Sequence, residues 1–119
     1  MANAIDLFNK TWGLLEKKDR TVEETEDMIN MAHASLYHWS VIGEPINLQR
    51  GEWMLAHVYS CLNRPESALH HAQICFDLTK EHDFKDFDLA YAYEGMARAF
   101  ACAVNNRDTE EYHQMALDA

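Results

Sequence analysis

Glycine and proline are scarce in this chain of 119 residues, four and two respectively, which excludes a collagen-like repeat and a flexible linker. Basic residues are also few. Lys and Arg total 10 against 20 for Asp and Glu, a formal net charge of -10. A nucleic-acid-binding face needs clustered cations to displace counterions, so no nucleic acid partner is expected. An anionic membrane surface is disfavoured for the same reason. No apolar run approaches the about 18 residues that a membrane-spanning helix requires. Met1 to Lys10 contains Asp6 and lacks the basic start and apolar core of a signal peptide. The three cysteines, Cys61, Cys75 and Cys102, are odd in number, widely spaced and form no CxxC pair. They read as reduced, buried thiols in a reducing compartment, so a cytoplasmic location is expected. GxSxG, P-loop and dinucleotide fingerprints are all missing, and no cofactor is implied.

What remains is a balance of 48% hydrophobic and 25% charged residues, that of one folded domain over residues 1–119. No segment alternates as a half-buried strand does, and helical spacing runs through the chain. An all-α fold of about six helices follows. The first spans Asn3 to Lys17, with Ile5, Phe8, Trp12 and Leu15 on one stripe. Thr21-Val22-Glu23-Glu24 has the form of a capping box and opens a second helix that runs to about Ile42, where Gly43 ends it. Its stripe is Met28, Ala32, Ser35, Leu36 and Trp39. A third helix runs from Pro45 to about Leu62 and a fourth from Pro65 to about Lys80, the latter burying Ala68, Leu69, Ala72, Cys75, Phe76 and Thr79. The fifth spans about Asp86 to Val104, with Leu89, Tyr93, Met96, Phe100 and Ala103 as its stripe. Asn105-Asn106-Arg107-Asp108 reads as a break, and Asp108 with Glu111 caps a last helix that ends with Ala116, Leu117 and Ala119.

A shift of 41 residues lays the third helix on the fifth. Leu55 falls on Met96, Ala56 on Ala97, Tyr59 on Phe100 and Cys61 on Cys102, and Asn63-Arg64 matches Asn106-Arg107 after a two-residue insertion. The pattern Leu55-Ala56-x-x-Tyr59, followed by Ala68, Ala72 and Cys75, resembles a tetratricopeptide repeat. The likeness departs from that family in its spacing, in Ala56 standing where a glycine is usual, and in lacking a proline near Lys80. It implies a right-handed stack of about three antiparallel helical hairpins, with Ala56 and Ala68 allowing close approach within a pair.

The same resemblance implies a concave face formed by the first helix of each pair, and hence a non-enzymatic binding or scaffold module for a peptide, a partner protein or a small carboxylate ligand. Arg50, Trp53, His57, Ser60 and Cys61 fall on that face from the third helix, and Tyr91, Glu94, Arg98, Ala101 and Cys102 from the fifth. Helical arithmetic agrees, because Trp53, His57 and Cys61 are spaced one turn apart and Glu94 and Arg98 pair at i, i+4. Arg50, Trp53, His57, Tyr91, Glu94 and Arg98 are the candidate ligand-binding residues. An uncovered last helix favours a homo-oligomer, most simply a dimer.

The competing reading is a small metal-dependent enzyme or metal-binding protein built on His57, Cys61 and His71. The pairs His57/Cys61 and His71/Cys75 have the composition of a tetrahedral Cys2His2 zinc site. Rotation argues against it, because Cys75 shares a face with Ala68 and Ala72 while His57 and Cys61 face the groove. His33, Tyr37 and Ser40 share another face, read as a polar seam against the first helix.

Overall fold

The computed structural model describes residues 4–118, excepting the side chains of Ile42 and of residues 106–118. Among the described residues the chain forms five helices and no strand: α1 (Ala4–Glu16), α2 (Val22–Ile42), α3 (Pro45–Cys61), α4 (Pro65–Glu81) and α5 (Phe87–Asp118). Among these residues no helix is long and apolar enough to cross a membrane.

Local chemistry sets each boundary. Arg20 donates from Nη1 to the carbonyls of Leu14 and Leu15, satisfying two acceptors that the end of α1 leaves open. Thr21 and Glu24 form the expected capping box, each side chain accepting from the other residue's backbone amide at 3.0 and 3.1 Å. Gly43 ends α2 in the left-handed region at φ 84. Pro45 and Pro65 occupy the first turns of α3 and α4, where a missing amide costs nothing. Asn63 and Asp83 stop α3 and α4 at φ 60 and 53, and the amides of Arg64 and Phe84 close back onto the carbonyls of Tyr59 and Thr79. Asn and Asp tolerate this conformation better than other side chains do.

Consecutive helices pack on one another, and α3 also approaches α1 and α5. Two apolar clusters result. Met28, Ala32, Met54, Leu55 and Val58 form one, with Phe8, Trp12, Leu15 and Leu36 against it. Ala56, Ala68, Ala72 and Ala99 form the other, where four small side chains bring α3, α4 and α5 close together. Buried Gln49 reinforces that junction, donating to Thr79 Oγ1 of α4 at 3.1 Å and to the Asp88 carbonyl of α5 at 2.9 Å.

Three expectations are corrected. The Asn105–Asp108 stretch is helical, so α5 runs unbroken for 32 residues and no sixth helix forms. Asn and Asp cost helix propensity there, but without a proline or glycine nothing removes a backbone hydrogen bond. The expected Asp108–Glu111 cap lies outside the described side chains. Second, the stripe of α5 is rotated: Ala92, Ala99 and Cys102 are buried, while Tyr93, Phe100 and Ala97 are exposed. Third, Cys61 is exposed, and only Cys75 and Cys102 are buried; all three thiols are free.

Two glycines should respond in opposite directions. Gly43→Ala forces an L side chain into the left-handed region and should cost about 1 kcal/mol. Gly13→Ala, inside α1 with nothing within 4 Å of the added carbon, should gain about 1 kcal/mol of helix propensity. Thermal melts followed by circular dichroism should therefore move about 4 °C down and up respectively.

Candidate functional site

One turn of spacing along each of three helices builds a continuous aromatic wall. Phe8 and Trp12 come from α1, Arg50, Trp53 and His57 from α3, and Tyr91, Glu94 and Arg98 from α5. The Trp12 and Trp53 rings lie 5.4 Å apart and the Trp53 and Tyr91 rings 4.9 Å apart, tilted by 32°. Trp53 Nε1 donates to Glu94 Oε2 at 2.9 Å, so the indole is fixed at both its face and its polar edge. Gly95 permits this approach, since a β-carbon there would stand 3.2 Å from Trp53 Cδ1.

The wall borders an open groove of about 350 Å³ lined by Phe8, Trp12, Arg50, Trp53, Phe87 and Tyr91. Phe8 and Arg50 also line an adjoining hollow of about 270 Å³ with Ile5 and Trp39. Farther along the seam between α3 and α5, Ser60, Cys61, Arg98, Ala101 and Cys102 border a third hollow.

Each cation of the wall already has a carboxylate. Arg50 directs Nε and Nη2 to Asp88 Oδ1 at 3.4 and 3.3 Å, and Arg98 pairs with Glu94. Arg98 Nη1 lies 3.4 Å from His57 Nε2. A guanidinium can only donate, so His57 accepts there and carries its proton on Nδ1, which is buried and has no partner among the described residues. Burial, and then the Arg98 charge, hold the His57 imidazolium below the usual histidine range, partly offset by Glu94.

All six candidate ligand-binding residues thus lie on one surface. Arg50, Trp53 and Tyr91 line the groove, and His57, Glu94 and Arg98 form a polar chain beside it. The charge pairing is what spacing alone did not anticipate for Arg50, because Asp88 sits at the start of α5 on another element.

A second polar constellation occupies a different side of α3 and escaped sequence reasoning. Glu52 Oε2 accepts from His71 Nδ1 of α4 at 2.6 Å, with both side chains largely buried. Tyr59 stacks on His71 at 5.6 Å and 8°, and its hydroxyl meets His33 Nε2 of α2 at 2.7 Å. His33 therefore faces α3, not α1, which corrects the expected seam; Tyr37 is exposed. Burial lowers the His33 pKa, with the neighbouring His71 contributing and Glu52 opposing. The available signal was Glu52 itself, a carboxylate on the same face as Ala56 and Tyr59.

His57 packs against Trp12, Trp53 and Arg98 whereas His71 meets Glu52 and Tyr59, so the two histidines are engaged in different clusters. Among the described residues no three His, Cys, Asp or Glu side chains group to hold a metal ion. Burial pushes the Cys75 thiol up to about 12, which removes it as a nucleophile at neutral pH.

Acid should destabilise this arrangement. His57 and His33 titrate lower in the folded chain than in the unfolded one, so the unfolded chain binds the extra protons first. The histidine contribution is complete above the unfolded value of about 6.5 and is lost as pH falls through the folded values. Urea midpoints should drop between about pH 7.5 and pH 5, and the drop should be smaller in His57→Gln.

Comparison of this chain with protein-family models, with curated proteins and with solved structures yields no match.

Proposed function

We propose that the chain is a non-enzymatic binding module whose groove receives an extended segment of a peptide or partner protein. The observation that carries this reading is the run of rings Trp12, Trp53 and Tyr91 across α1, α3 and α5, bordering an open groove. Rings supply apolar contact at low conformational cost, and each 100 Å² of apolar surface removed from water is worth about 2.5 kcal/mol.

A finer description of the fold belongs to the same proposal. The chain is a stack of helical hairpins of the tetratricopeptide-like kind, with α1, α3 and α5 as the first helices. Its support is the neighbour pattern, in which α3 approaches both α1 and α5 while the backbones of α2 and α4 do not approach each other. Contacts between residues 41 apart, Trp53 with Glu94 and His57 with Arg98, fit a regular offset between first helices.

A peptide is favoured over a small carboxylic acid. Arg50 and Arg98 already hold Asp88 and Glu94, so a small acid would have to displace a carboxylate to gain its main contact. The Arg50 pair is exposed, and such pairs are worth about 0–1 kcal/mol, so a peptide anchored on the rings can exchange it at little cost.

Selection from a random displayed peptide library provides the test. Enriched peptides should bind the wild-type chain, quench its tryptophan emission, and bind Tyr91→Ala and Arg50→Ala at least about tenfold more weakly. Asp77→Ala, on α4, should bind as the wild type does, and all three variants should melt within a few degrees of it. Failure to enrich any peptide, or binding that ignores Tyr91 and Arg50, would refute the reading.

A further inference from the structure

Two of the three cysteines meet at the far end of the seam between α3 and α5. Contacts along that seam keep one offset: Trp53 meets Glu94 and His57 meets Arg98, each pair 41 residues apart. One turn further, the same offset sets Cys61 against Cys102. Both line a hollow of about 260 Å³, together with Ser60, Asn63 and Arg98.

The surroundings of the two thiols differ. Cys61 is the last residue of α3 and is exposed, whereas Cys102, midway along α5, is buried. Cys102 Sγ lies 3.8 Å from the Ser60 carbonyl oxygen and 3.8 Å from Asn63 Oδ1. These two acceptors flank Cys61 in the chain. The Ser60 carbonyl belongs to the peptide that joins Ser60 to Cys61, and a carbonyl oxygen stands about 2.8 Å from the next α-carbon, so Cys102 Sγ is within about 7 Å of Cys61 Cα. Burial, and then the neighbouring Cys61, push the Cys102 thiol above the usual cysteine range. Cys61 is therefore the thiol that an outside reagent reaches, and Cys102 the thiol held beside it. Cys75, buried on α4, is outside this hollow.

We propose that Cys61 and Cys102 form a reversible thiol–disulfide couple, oxidised by a small-molecule disulfide. The Cys61 thiolate attacks one sulfur of the reagent, the reagent's S–S bond breaks, and its other half leaves as a thiolate. Cys102, once deprotonated, attacks the Cys61 sulfur of the resulting mixed disulfide. The Cys61–Cys102 bond forms and the second half of the reagent leaves. The two protons given up by the cysteines end on the two departing thiols, so one disulfide is made as one is reduced. Proximity offsets the raised Cys102 thiol, because the second attack is intramolecular. A disulfide needs α-carbons about 4.4–6.8 Å apart. The end of α3 is placed to supply that approach, since Leu62 caps the helix and Asn63 turns the chain away at φ 60. The bond would tie α3 to α5 around the whole of α4. It uses none of the rings of the groove, so it stands or falls independently of the peptide reading.

Incubation of the reduced full chain with oxidised glutathione, followed by intact mass and peptide mapping without reductant, tests the couple. The wild type should lose two of its three thiols, finish with no glutathione attached, and yield one linked peptide pair, Cys61 with Cys102, at the mass of a single chain. Excess dithiothreitol should return all three thiols. Cys102→Ala should instead stop with one glutathione held on Cys61, and Cys61→Ser should take up none. Cys75→Ser should form the same linkage as the wild type. A wild type that keeps glutathione on Cys61, joins Cys61 to Cys75, cross-links only between chains, or retains all three thiols would overturn the proposal.

Discussion

The enclosure of α3 is the constraint from which the rest of the structure follows. Seven of its residues are buried, from Gln49 to Val58, and they point in several directions around the helix. Such a helix meets a neighbour over most of its surface, with Arg50 and Cys61 left exposed, so its neighbours are positioned by it. Leu55 and Val58 meet α2 and the base of α1, Ala56 sets the spacing to α4, and Gln49 ties α4 to the start of α5. Burial of polar atoms on α3 is tolerated because they are used as connectors. The Glu52–His71 contact joins it to α4, and Trp53 with Glu94 joins it to α5. A buried pair of this kind contributes more to fixing register than to net stability, because desolvation offsets most of the attraction.

The groove is a consequence of that enclosure and not an added feature. Holding α1 and α5 on either side of α3 brings Trp12, Trp53 and Tyr91 into line, and the rings have nowhere to go but the shared wall. The charges around them balance locally, with Asp88 against Arg50 and Glu94 against Arg98, even though the chain as a whole carries -10. A surface of this character offers apolar contact and exchangeable hydrogen bonds rather than a strong field of one sign. Recognition of an uncharged or mixed segment suits it better than capture of a strongly charged ligand.

Helix boundaries up to residue 87 could be read from the chain because they rest on local chemistry. The Thr21–Glu24 box, Gly43, Pro45, Asn63 and Pro65 each act within a turn of where they sit. Of the residues lining the groove, Arg50, Trp53 and Tyr91 could be placed on one surface from one turn of spacing on α3 and α5, a local property too, whereas Phe8, Trp12 and Phe87 were not among the candidates. The orientation of α5 could not. Its Tyr93 and Phe100 look like core by hydrophobicity, yet Ala92, Ala99 and Cys102 are the residues buried, with Ala99 packed among Ala56, Ala68 and Ala72 and Met96 at the edge of that cluster. Helix packing distance overrode residue hydrophobicity there, and packing distance is not written in any one segment. The break expected at Asn105–Asp108 does not form: its polar residues lower helix propensity, but neither a proline nor a glycine interrupts the backbone there. The partners of His33, His71 and Arg50 all lie on other helices, beyond the reach of spacing arguments.

Native-state amide hydrogen exchange measures the enclosure of α3 most directly. Slowest exchange should fall on Met54 to Val58, at rates set by global unfolding, with α1 opening at lower free energy. If the amides of Met54 to Val58 instead exchange as fast as those of α1, through local opening, then α3 is not the element on which its neighbours are assembled.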